Sequence, residues 1–474
     1  MENPDLTLEL SPDDMRRLVA EAMEYIVAHI ASLPQQSTSA VEKGEETVRL
    51  VVEPLPEVGQ SYGELLTLLF QKLIPVSFNT AGPGYLAYVP GGGLFHTAVA
   101  DLITDAVNRF VALWIAAPGL AQLEATVIRW FCDVVGYPDS AQGILTTGGS
   151  LANFSAVVTA RRERLPENFL TGTLYVSDQT HHSIQKAALL AGFPPANVRA
   201  IPADEHFRIR LDLLERRIVE DREIGFTPFL LVGNAGTTNT GAVDDLSTLA
   251  DIAAQESLWL HVDAAYGGCF LLTDHGRSVM RGIERADSVS LDPHKGLFLS
   301  YGTGSLLVKD GTSLKRAHSV MAAYLPAAGE NSEQIDFANM SPELSREFRG
   351  LRVWLPFKLH GVGPFRRNLQ EKVELTSWAT EELRKIPGVE IVAEPQLSIV
   401  AFRLVRPGLA TGALNQLNQQ VLQRINAQKR VFLSGTTLNG TFVLRICVLS
   451  FRTHFDRVQM CLEDIRTAVN AVSA

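Results

Sequence analysis

Apolar residues near the start of the chain recur at a helical spacing. Residues 11–33 begin Ser-Pro-Asp-Asp and then repeat apolar positions about every 3.6 residues, which predicts an amphipathic helix. A Ser/Thr/Glu-rich linker at 36–47 precedes a second helix at 61–75, which proline ends. Little mass surrounds these two helices, so their apolar faces need another surface, and a partner subunit is the expected one.

From about residue 95 to 365 the pattern changes to short β-rich runs that alternate with helical stretches. The runs are apolar on both faces, which is typical of a mainly parallel sheet covered by helices on each side. They are 173–178, 229–236, 258–266 and 288–293. From Lys372 the pattern indicates helix, turn, strand and strand. The predicted divisions are an N-terminal helical segment, 1–94, a large α/β domain, 95–368, and a small α+β domain, 369–474.

Composition and charge exclude several classes of protein. A formal net charge of −10 without a basic cluster argues against nucleic-acid binding. The longest uncharged apolar stretch, 110–123, is too short to span a bilayer and contains proline. The acidic N-terminus lacks the apolar core of a signal peptide, and the four separated cysteines include no CxxC pair. We therefore expect free buried thiols and a cytoplasmic protein.

Polar side chains follow several predicted strands. They are His181, His182, Asn234, Thr237, Thr238, Asp263, His294 and Lys295. In open α/β sheets, ligands bind beyond the carboxyl ends of the strands. Several polar strand ends in succession therefore predict a single cavity floor.

A glycine-rich turn in segment 144–162 predicts an anion site. An apolar strand runs into Thr-Thr-Gly-Gly-Ser, with Gly149 and Ser150 at its end, and then into a helix. Glycine allows close approach of the backbone, and the free N–H groups of a helix start favour phosphate. The segment lacks the spacing of a nucleotide P-loop. The alternative is a plain strand-to-helix turn with Ser150 as N-cap.

Asp263 follows an almost wholly apolar strand, where a carboxylate is unfavourable unless it meets a cation or hydrogen-bond donors. It could belong to a structural ion pair or hold a protonated ring nitrogen. A phosphate site, a histidine, the amine of Lys295 and Asp263 are together the groups that a protein provides for pyridoxal-phosphate chemistry. Metal binding is the weaker alternative, because the histidines show no zinc-site spacing.

The motifs TTGGSLAN, SDQTHHSIQKA, GNAGTTNTGAVDD, HVDAAYGG and SLDPHKGL occur in this order. In that respect the chain resembles the group II pyridoxal-phosphate-dependent decarboxylases, the relatives of aromatic-L-amino-acid and glutamate decarboxylase. The resemblance implies a fold type I PLP-dependent transferase-like α/β fold and a homodimer whose sites lie at the subunit interface. It also implies release of CO2 from an L-amino acid bound through pyridoxal 5'-phosphate.

The same resemblance implies a role for individual residues. Lys295 would form the Schiff base with the cofactor, Asp263 would pair with the pyridinium nitrogen, and His181 would stack on the ring. The residues implied at the phosphate are Gly149, Ser150, Ser288 and His294. Thr237 or Thr238 would support the aspartate or the region of the ring hydroxyl.

Some positions depart from the family pattern and leave the substrate open. Gly296 stands where many aromatic decarboxylases have tryptophan, and Gly82, Gly91 and Ala112 also differ from common residues. "Aromatic" is therefore not inherited at this point. Either Arg349 or Arg352 could meet an acidic substrate side chain or serve the fold.

Phe337, placed by its spacing to Glu-Phe-Arg-Gly, is assigned to the position of a catalytic loop tyrosine. Phenylalanine has no proton to give, and in relatives with this change the reaction with oxygen yields an aldehyde, ammonia and peroxide. Aldehyde synthesis is therefore an alternative to simple decarboxylation, unless Tyr324 or His181 supplies the proton. Another lyase or a transaminase uses the same fold. A serine hydrolase built on Ser150 and a cofactor-free binding module are the alternatives from other classes.

Overall fold

A seven-stranded sheet forms the centre of the molecule in the computed structural model, which describes residues 8–319 and 334–472. Its strands are β1 (Gln142–Thr146), β2 (Gly172–Ser177), β3 (Val198–Ile201), β4 (Thr227–Asn234), β5 (Trp259–Asp263), β6 (Ser288–Leu291) and β7 (Gly304–Val308). They are arranged in the order β1-β7-β6-β5-β4-β2-β3. Neighbours from β3 through β6 are parallel, whereas β7 runs antiparallel to both β1 and β6.

Helices cover both faces of this sheet and form the ends of the chain. They are α1 (Pro12–Ser32), α2 (Gly44–Val48), α3 (Tyr62–Leu68), α4 (Phe95–Val107), α5 (Pro118–Val135), α6 (Gly149–Arg164), α7 (His182–Leu190), α8 (Leu211–Glu223), α9 (Leu246–Gln255), α10 (Asp274–Val279), α11 (Pro293–Gly296), α12 (Thr312–His318), α13 (Gly350–His360), α14 (Gly363–Arg384), α15 (Thr411–Ala427) and α16 (Phe455–Ala471). The strands that they cover are buried almost without interruption, as a double-sided sheet requires. The predicted α/β class is confirmed.

A second, antiparallel sheet lies in the C-terminal part of the chain. Its strands are β8 (Val389–Ala393), β9 (Ile399–Leu404), β10 (Ser434–Leu438) and β11 (Thr441–Cys447), in the order β10-β11-β9-β8. The inner faces of β9 and β11 pack with α14, α15 and α16 into a hydrophobic core that is separate from the core of the large sheet. The helix, turn and two strands predicted from Lys372 are present as α14, β8 and β9, although α14 begins earlier, at Gly363.

Helix α1 has the predicted Ser-Pro start, because the Ser11 hydroxyl accepts from the backbone N–H of Asp14 and Pro12 occupies the first turn. None of its residues is buried within this chain, although its apolar positions repeat at a helical spacing. Within the described ranges, no helix combines the length and the apolar character that crossing a membrane requires. All four cysteines are free and buried, as predicted.

Candidate active site

A cavity of about 270 Å³ lies beyond the carboxyl ends of β4, β5 and β6. The prediction that polar strand ends share one cavity floor is confirmed for Asn234, Thr237, Thr238, Asp263, His294, Lys295 and His181, which all line it. His182 does not line it; it begins α7, and its ring packs 4.1 Å from that of His181. The sheet topology thus brings side chains that are more than 100 residues apart in sequence to one edge of the sheet.

One wall of the cavity is the glycine turn that leads into α6. Gly148 is the N-cap and offers no side-chain cap, so the first backbone N–H groups of the helix remain directed at the cavity. Ser150 is therefore a first-turn residue and not the N-cap. Close packing explains the second glycine: a Cβ at Gly149 would lie 3.1 Å from both Ala265 Cβ and Asp292 Oδ2.

Asp263 ends β5 with its carboxylate surrounded by hydrogen-bond donors. Asn153 Nδ2 donates to Oδ2 at 2.9 Å, while the Ala265 backbone N–H and the Ser290 hydroxyl donate to Oδ1 at 3.1 and 3.3 Å. Three donors from three elements match the acceptor sites of an ionised carboxylate. Asp263 is only 8% exposed, and it also lines the cavity, so it can meet a cationic group bound there.

Lys295 stands opposite, at the end of the short helix α11. Its Nζ lies 3.0 Å from Asp292 Oδ2, and its side chain is 25% exposed whereas that of Asp292 is 2% exposed. Burial alone would lower the pKa of Lys295, but the charge and hydrogen bond of Asp292, with help from Asp263, raise it above its ordinary value. The Lys295 amine is thus protonated in the chain without cofactor. Asp292 Oδ1 is buried without a hydrogen-bond partner among the described residues.

Two histidines complete the floor. Nδ1 of His294 donates to the Thr303 carbonyl at 2.7 Å, which leaves Nε2 as its other polar atom, 3.7 Å from Asp292 Oδ2. Nδ1 of His181 lies 2.8 Å from the Ser183 hydroxyl. Burial lowers the pKa of both imidazoles, although carboxylates nearby oppose that effect, so both are predominantly neutral near neutral pH.

Thr237 and Asn234 are held by their own neighbours. The hydroxyl of Thr237 shares a 2.8 Å hydrogen bond with that of Thr240, and Asn234 Nδ2 donates to Asp244 Oδ2 at 2.8 Å. Burial raises the pKa of the Asp244 carboxyl despite the backbone and side-chain N–H groups that it accepts from. Both Thr237 and Thr238 line the cavity, so their position does not decide which of them supports the bound ring.

Ser288 is not at the cavity, which corrects its expected place at the phosphate. It is the first residue of β6, about three residues or roughly 10 Å from the strand's carboxyl end. Its hydroxyl accepts from Trp259 Nε1 at 2.8 Å and lies 2.9 Å from His261 Nδ1 in the sheet interior. Period-two alternation gives Ser288 and Ser290 the same face, but only Ser290 reaches Asp263.

Phe337 does not occupy a catalytic loop position either. It lies in a 3-10 turn, Phe337–Asn339, its side chain is fully buried in the core of the large sheet, and Arg346 stacks on its ring at 5.0 Å. The backbone N–H of Ala338 donates to the Ala112 carbonyl, which fixes the turn against the chain's own core. Phe337 is therefore not among the residues that line the cavity. Tyr324, the other candidate on this segment, lies outside the described residues.

The positions that depart from the family pattern also stay outside the cavity lining. A Cβ at Gly296 would lie 2.4 Å from Cys269 Cβ, and one at Gly91 would lie 2.9 Å from the Tyr301 ring, so close packing excludes larger side chains there without rearrangement. Gly82 abuts Asn79 in the same way, and Ala112 is fully buried.

Neither arginine suspected of binding an acidic substrate is available for it. Arg349 makes two hydrogen bonds with Glu343, at 2.9 and 3.0 Å, and is nearly fully buried. Arg352 is bound to Asp101 at 2.5 Å and to Glu347 at 3.1 Å. Both guanidinium groups therefore serve contacts within the fold.

Asp292 and Asn153 are among the residues of the site that sequence reasoning missed. Asp292 precedes Lys295 by three residues, which is the spacing of one helical turn, and this was the available signal. Asn153 had a weaker signal: it lies one turn into α6, in a run of otherwise small and apolar residues. Its partners are distant in sequence, so only the fold reveals them.

The donors and acceptors around the cavity fit pyridoxal phosphate. The uncapped start of α6 suits a phosphate, the donor-rich Asp263 suits a protonated pyridine nitrogen, and Lys295 supplies an amine for the carbonyl carbon. No histidine among the described residues hydrogen-bonds to the Ser150 hydroxyl, so the serine-hydrolase alternative lacks its base.

Comparisons with known proteins agree with this chemistry. The pyridoxal-dependent decarboxylase conserved domain matches residues 49–405. An aromatic-L-amino-acid decarboxylase of Bacillus atrophaeus is 36% identical over 98% of this chain and 98% of its own. A crystal structure of Oryza sativa TDC with PLP and tryptamine has a TM-score of 0.94 at 26% identity, covering 100% of both chains. A 4-hydroxyphenylacetaldehyde synthase of Rhodiola rosea, at 23% identity and a TM-score of 0.91 over 98% of this chain and 100% of its own, shares the fold.

Proposed function

We propose a substrate class and a set of residue roles for this chain, which belongs to the pyridoxal-dependent decarboxylase family and is a pyridoxal-phosphate-dependent carboxy-lyase acting on an amino acid. The substrate proposed is an aromatic L-amino acid, and the products are CO2 and the corresponding amine. The observation that carries the roles is the convergence of Asp263, Lys295 and the start of α6 on one cavity.

The residue roles follow from the contacts of each side chain. Bound pyridoxal phosphate supplies an electron sink for the bond to the departing carboxylate. Asp263 holds a proton on the ring nitrogen, Lys295 binds the carbonyl carbon, and His181 covers the ring. Asp292 Oδ2, 3.0 Å from Lys295 Nζ, pairs with the protonated amine and holds it in place in the cofactor-free chain.

Phosphate binding is assigned to the start of α6, with Gly149 and Ser150, and to the neighbouring His294. His294 Cε1 would lie 3.3 Å from a Cβ built at Gly148, so the imidazole borders the glycine turn directly. Either Thr237 or Thr238 supports the ring from the side of β4. Ser288 and Phe337 have no role in this assignment, because their side chains lie in the interior of the fold.

Two observations support an aromatic substrate over an acidic one. The Bacillus atrophaeus relative, which matches over nearly the full length, is named for aromatic amino acids. Arg349 and Arg352, the cations considered for an acidic side chain, are both occupied by carboxylates of this chain. Neither of these two guanidinium groups is therefore free to neutralise an acidic substrate side chain.

The test is a panel of L-amino acids given to the purified protein with pyridoxal phosphate, with CO2, amine and peroxide measured together. We expect CO2 and amine in equal amounts from aromatic substrates, and negligible turnover of glutamate. Preferred turnover of glutamate would overturn the substrate class. Peroxide formed in step with CO2 would instead support aldehyde synthesis, which the burial of Phe337 does not favour.

A homodimer is also part of the proposal. Helix α1 buries none of its own residues in this chain, yet carries apolar positions at a helical spacing. A partner subunit would cover that face, and we locate the dimer contact there.

A further inference from the structure

We propose that Asn153 is a positioning residue that fixes both Asp263 and His181 through a single chain of hydrogen bonds starting at Trp259. The inference rests on the roles proposed above for Asp263 and His181. The chain consists of Trp259, Ser288, His261 and Asn153, and it then divides toward Asp263 and toward Ser183 and His181.

The fold places these groups in register. Trp259, His261 and Asp263 alternate along β5 and therefore share one face of the sheet. In the adjacent β6, Ser288 is paired with His261 and Ser290 with Asp263. Helix α6 crosses this face and contributes Asn153, which is 1% exposed. A row of polar side chains is thus buried under a helix, where each must find a partner.

The directions of the hydrogen bonds follow from the two ends of this chain, the indole, which only donates, and the Asp263 carboxylate, which only accepts. Ser288 Oγ accepts from Trp259 Nε1 at 2.8 Å and lies 2.9 Å from His261 Nδ1. Burial lowers the pKa of His261 to about 4, so the ring is neutral. Asn153 Nδ2 faces the Asp263 carboxylate, so Asn153 Oδ1 faces His261 Nε2. Nδ1 therefore accepts the Ser288 O–H, and Nε2 carries the ring proton. That proton is donated to Asn153 Oδ1 at 3.0 Å.

The Asp263 carboxylate and the neutral His261 ring thus require the same orientation of the Asn153 amide. With Oδ1 accepting from His261, both N–H groups of Nδ2 face the other way and donate to Asp263 Oδ2 and Ser183 Oγ, each at 2.9 Å. The opposite orientation would place Oδ1 against the Asp263 carboxylate. A single amide thus donates to the aspartate and orients the serine.

The second branch fixes the tautomer of His181. Ser183 Oγ accepts from Asn153, so its O–H donates to His181 Nδ1 at 2.8 Å, and the Ser183 backbone N–H approaches the same atom at 3.3 Å. Nδ1 is therefore an acceptor, and neutral His181 carries its proton on Nε2. Within the described residues, no hydrogen bond engages that Nε2, so its N–H is available to a bound molecule.

The test reads the histidine tautomers in the apoprotein, without cofactor or turnover. Multiple-bond ¹H–¹⁵N spectra of protein labelled at histidine distinguish Nδ1–H from Nε2–H. We expect the neutral Nε2–H form for both His261 and His181. The Ser183→Ala variant should change the signals of His181 alone, and Asn153→Leu should change those of both rings. Ser155→Ala is the matched control on α6, because the Ser155 hydroxyl has no partner among the described residues.

Binding of pyridoxal phosphate to the same apoproteins tests the branch to Asp263. Loss of a hydrogen bond to a charged group should weaken binding by about tenfold to a hundredfold in Asn153→Leu, whereas Ser183→Ala should bind within about threefold of wild type. An Nδ1–H or charged His261 in the wild type would overturn the proposal. This measurement needs no variant, so it remains decisive even if a variant fails to fold. Unchanged His181 signals and affinity in Asn153→Leu would also overturn it. Failure of the wild type to bind the cofactor would count against the proposed function alone.

Discussion

At the scale of single residues, the site is built from groups whose charge is set by one or two neighbours. Lys295 is the clearest case, because burial and the Asp292 carboxylate act on its pKa in opposite directions and the carboxylate prevails. Asp263 is surrounded by donors, whereas Asp292 faces an amine. Two aspartates that both raise the pKa of one lysine thus have different surroundings, which their contacts reveal and their residue type does not.

Replacing Asp292 with asparagine should shift the pH at which the apoprotein binds pyridoxal phosphate covalently. Below its raised pKa, Lys295 is protonated and unreactive, so loading by the wild type should accelerate as pH rises toward that pKa. Without the anion, burial lowers the pKa, and Asp292→Asn should load severalfold faster than wild type at about pH 8. Stopped-flow absorbance gives the rate; a pH profile identical to that of wild type would contradict the role of Asp292. Lys295→Ala is the control that cannot load covalently.

Placing a hydroxyl at position 337 should leave the products unchanged. Phe337 is buried in the core, so the phenol of Phe337→Tyr would lie far from the cavity. An unpaired buried hydroxyl should lower the free energy of unfolding by about 1–3 kcal/mol. Measuring CO2, amine and peroxide, together with urea denaturation, separates these effects. A changed ratio of peroxide to CO2 would contradict this prediction and would indicate that position 337 contacts the reacting groups.

At the scale of elements, apolar runs with polar ends sufficed to predict β2, β4, β5 and β6, together with the cavity that they share. The sequence did not show how close to the carboxyl end of its strand a given side chain lies. Ser288 and Ser290 have the same residue type and the same face, yet only one reaches Asp263. The sequence also could not predict that Phe337 is buried. Its spacing to a downstream motif does not show which apolar side chains of a loop pack into the core.

A buried ion pair holds the segment after position 334 to the large sheet. Arg346 Nη1 lies 2.5 Å from Glu124 Oε1, both side chains are fully buried, and Glu124 Oε2 accepts from the Gly350 backbone N–H at the start of α13. Replacing Arg346 with methionine should lower the free energy of unfolding by about 3–5 kcal/mol, because Glu124 would remain as an unpaired buried charge. Urea denaturation measures this effect. The double variant with Glu124→Gln should recover part of the loss, and equal losses in single and double variants would contradict the explanation.

At the scale of the whole molecule, the described residues form two large hydrophobic cores, a small third cluster and a partly exposed N-terminal helical segment. The large sheet and the small sheet each have a hydrophobic core of their own, and the cavity belongs to the former. The N-terminal helices are different, since no residue of α1 is fully buried within one chain, although Tyr25 packs against Phe70. Sequence periodicity indicated an unpartnered face there, but a pattern of apolar positions does not say which surface covers it.

Charges placed on the apolar face of α1 should therefore separate the subunits. Val19 and Val27 are 42% and 55% exposed in the single chain, and burying glutamates at both positions in a dimer contact would be strongly unfavourable. We expect Val19→Glu/Val27→Glu to sediment as a monomer with its far-UV circular dichroism preserved. Val219→Glu, at a 51% exposed position on α8, should remain dimeric, because α8 already buries its apolar face at Leu214 and Ile218. If the α1 variant remains a dimer at low micromolar concentration, the contact lies on another surface.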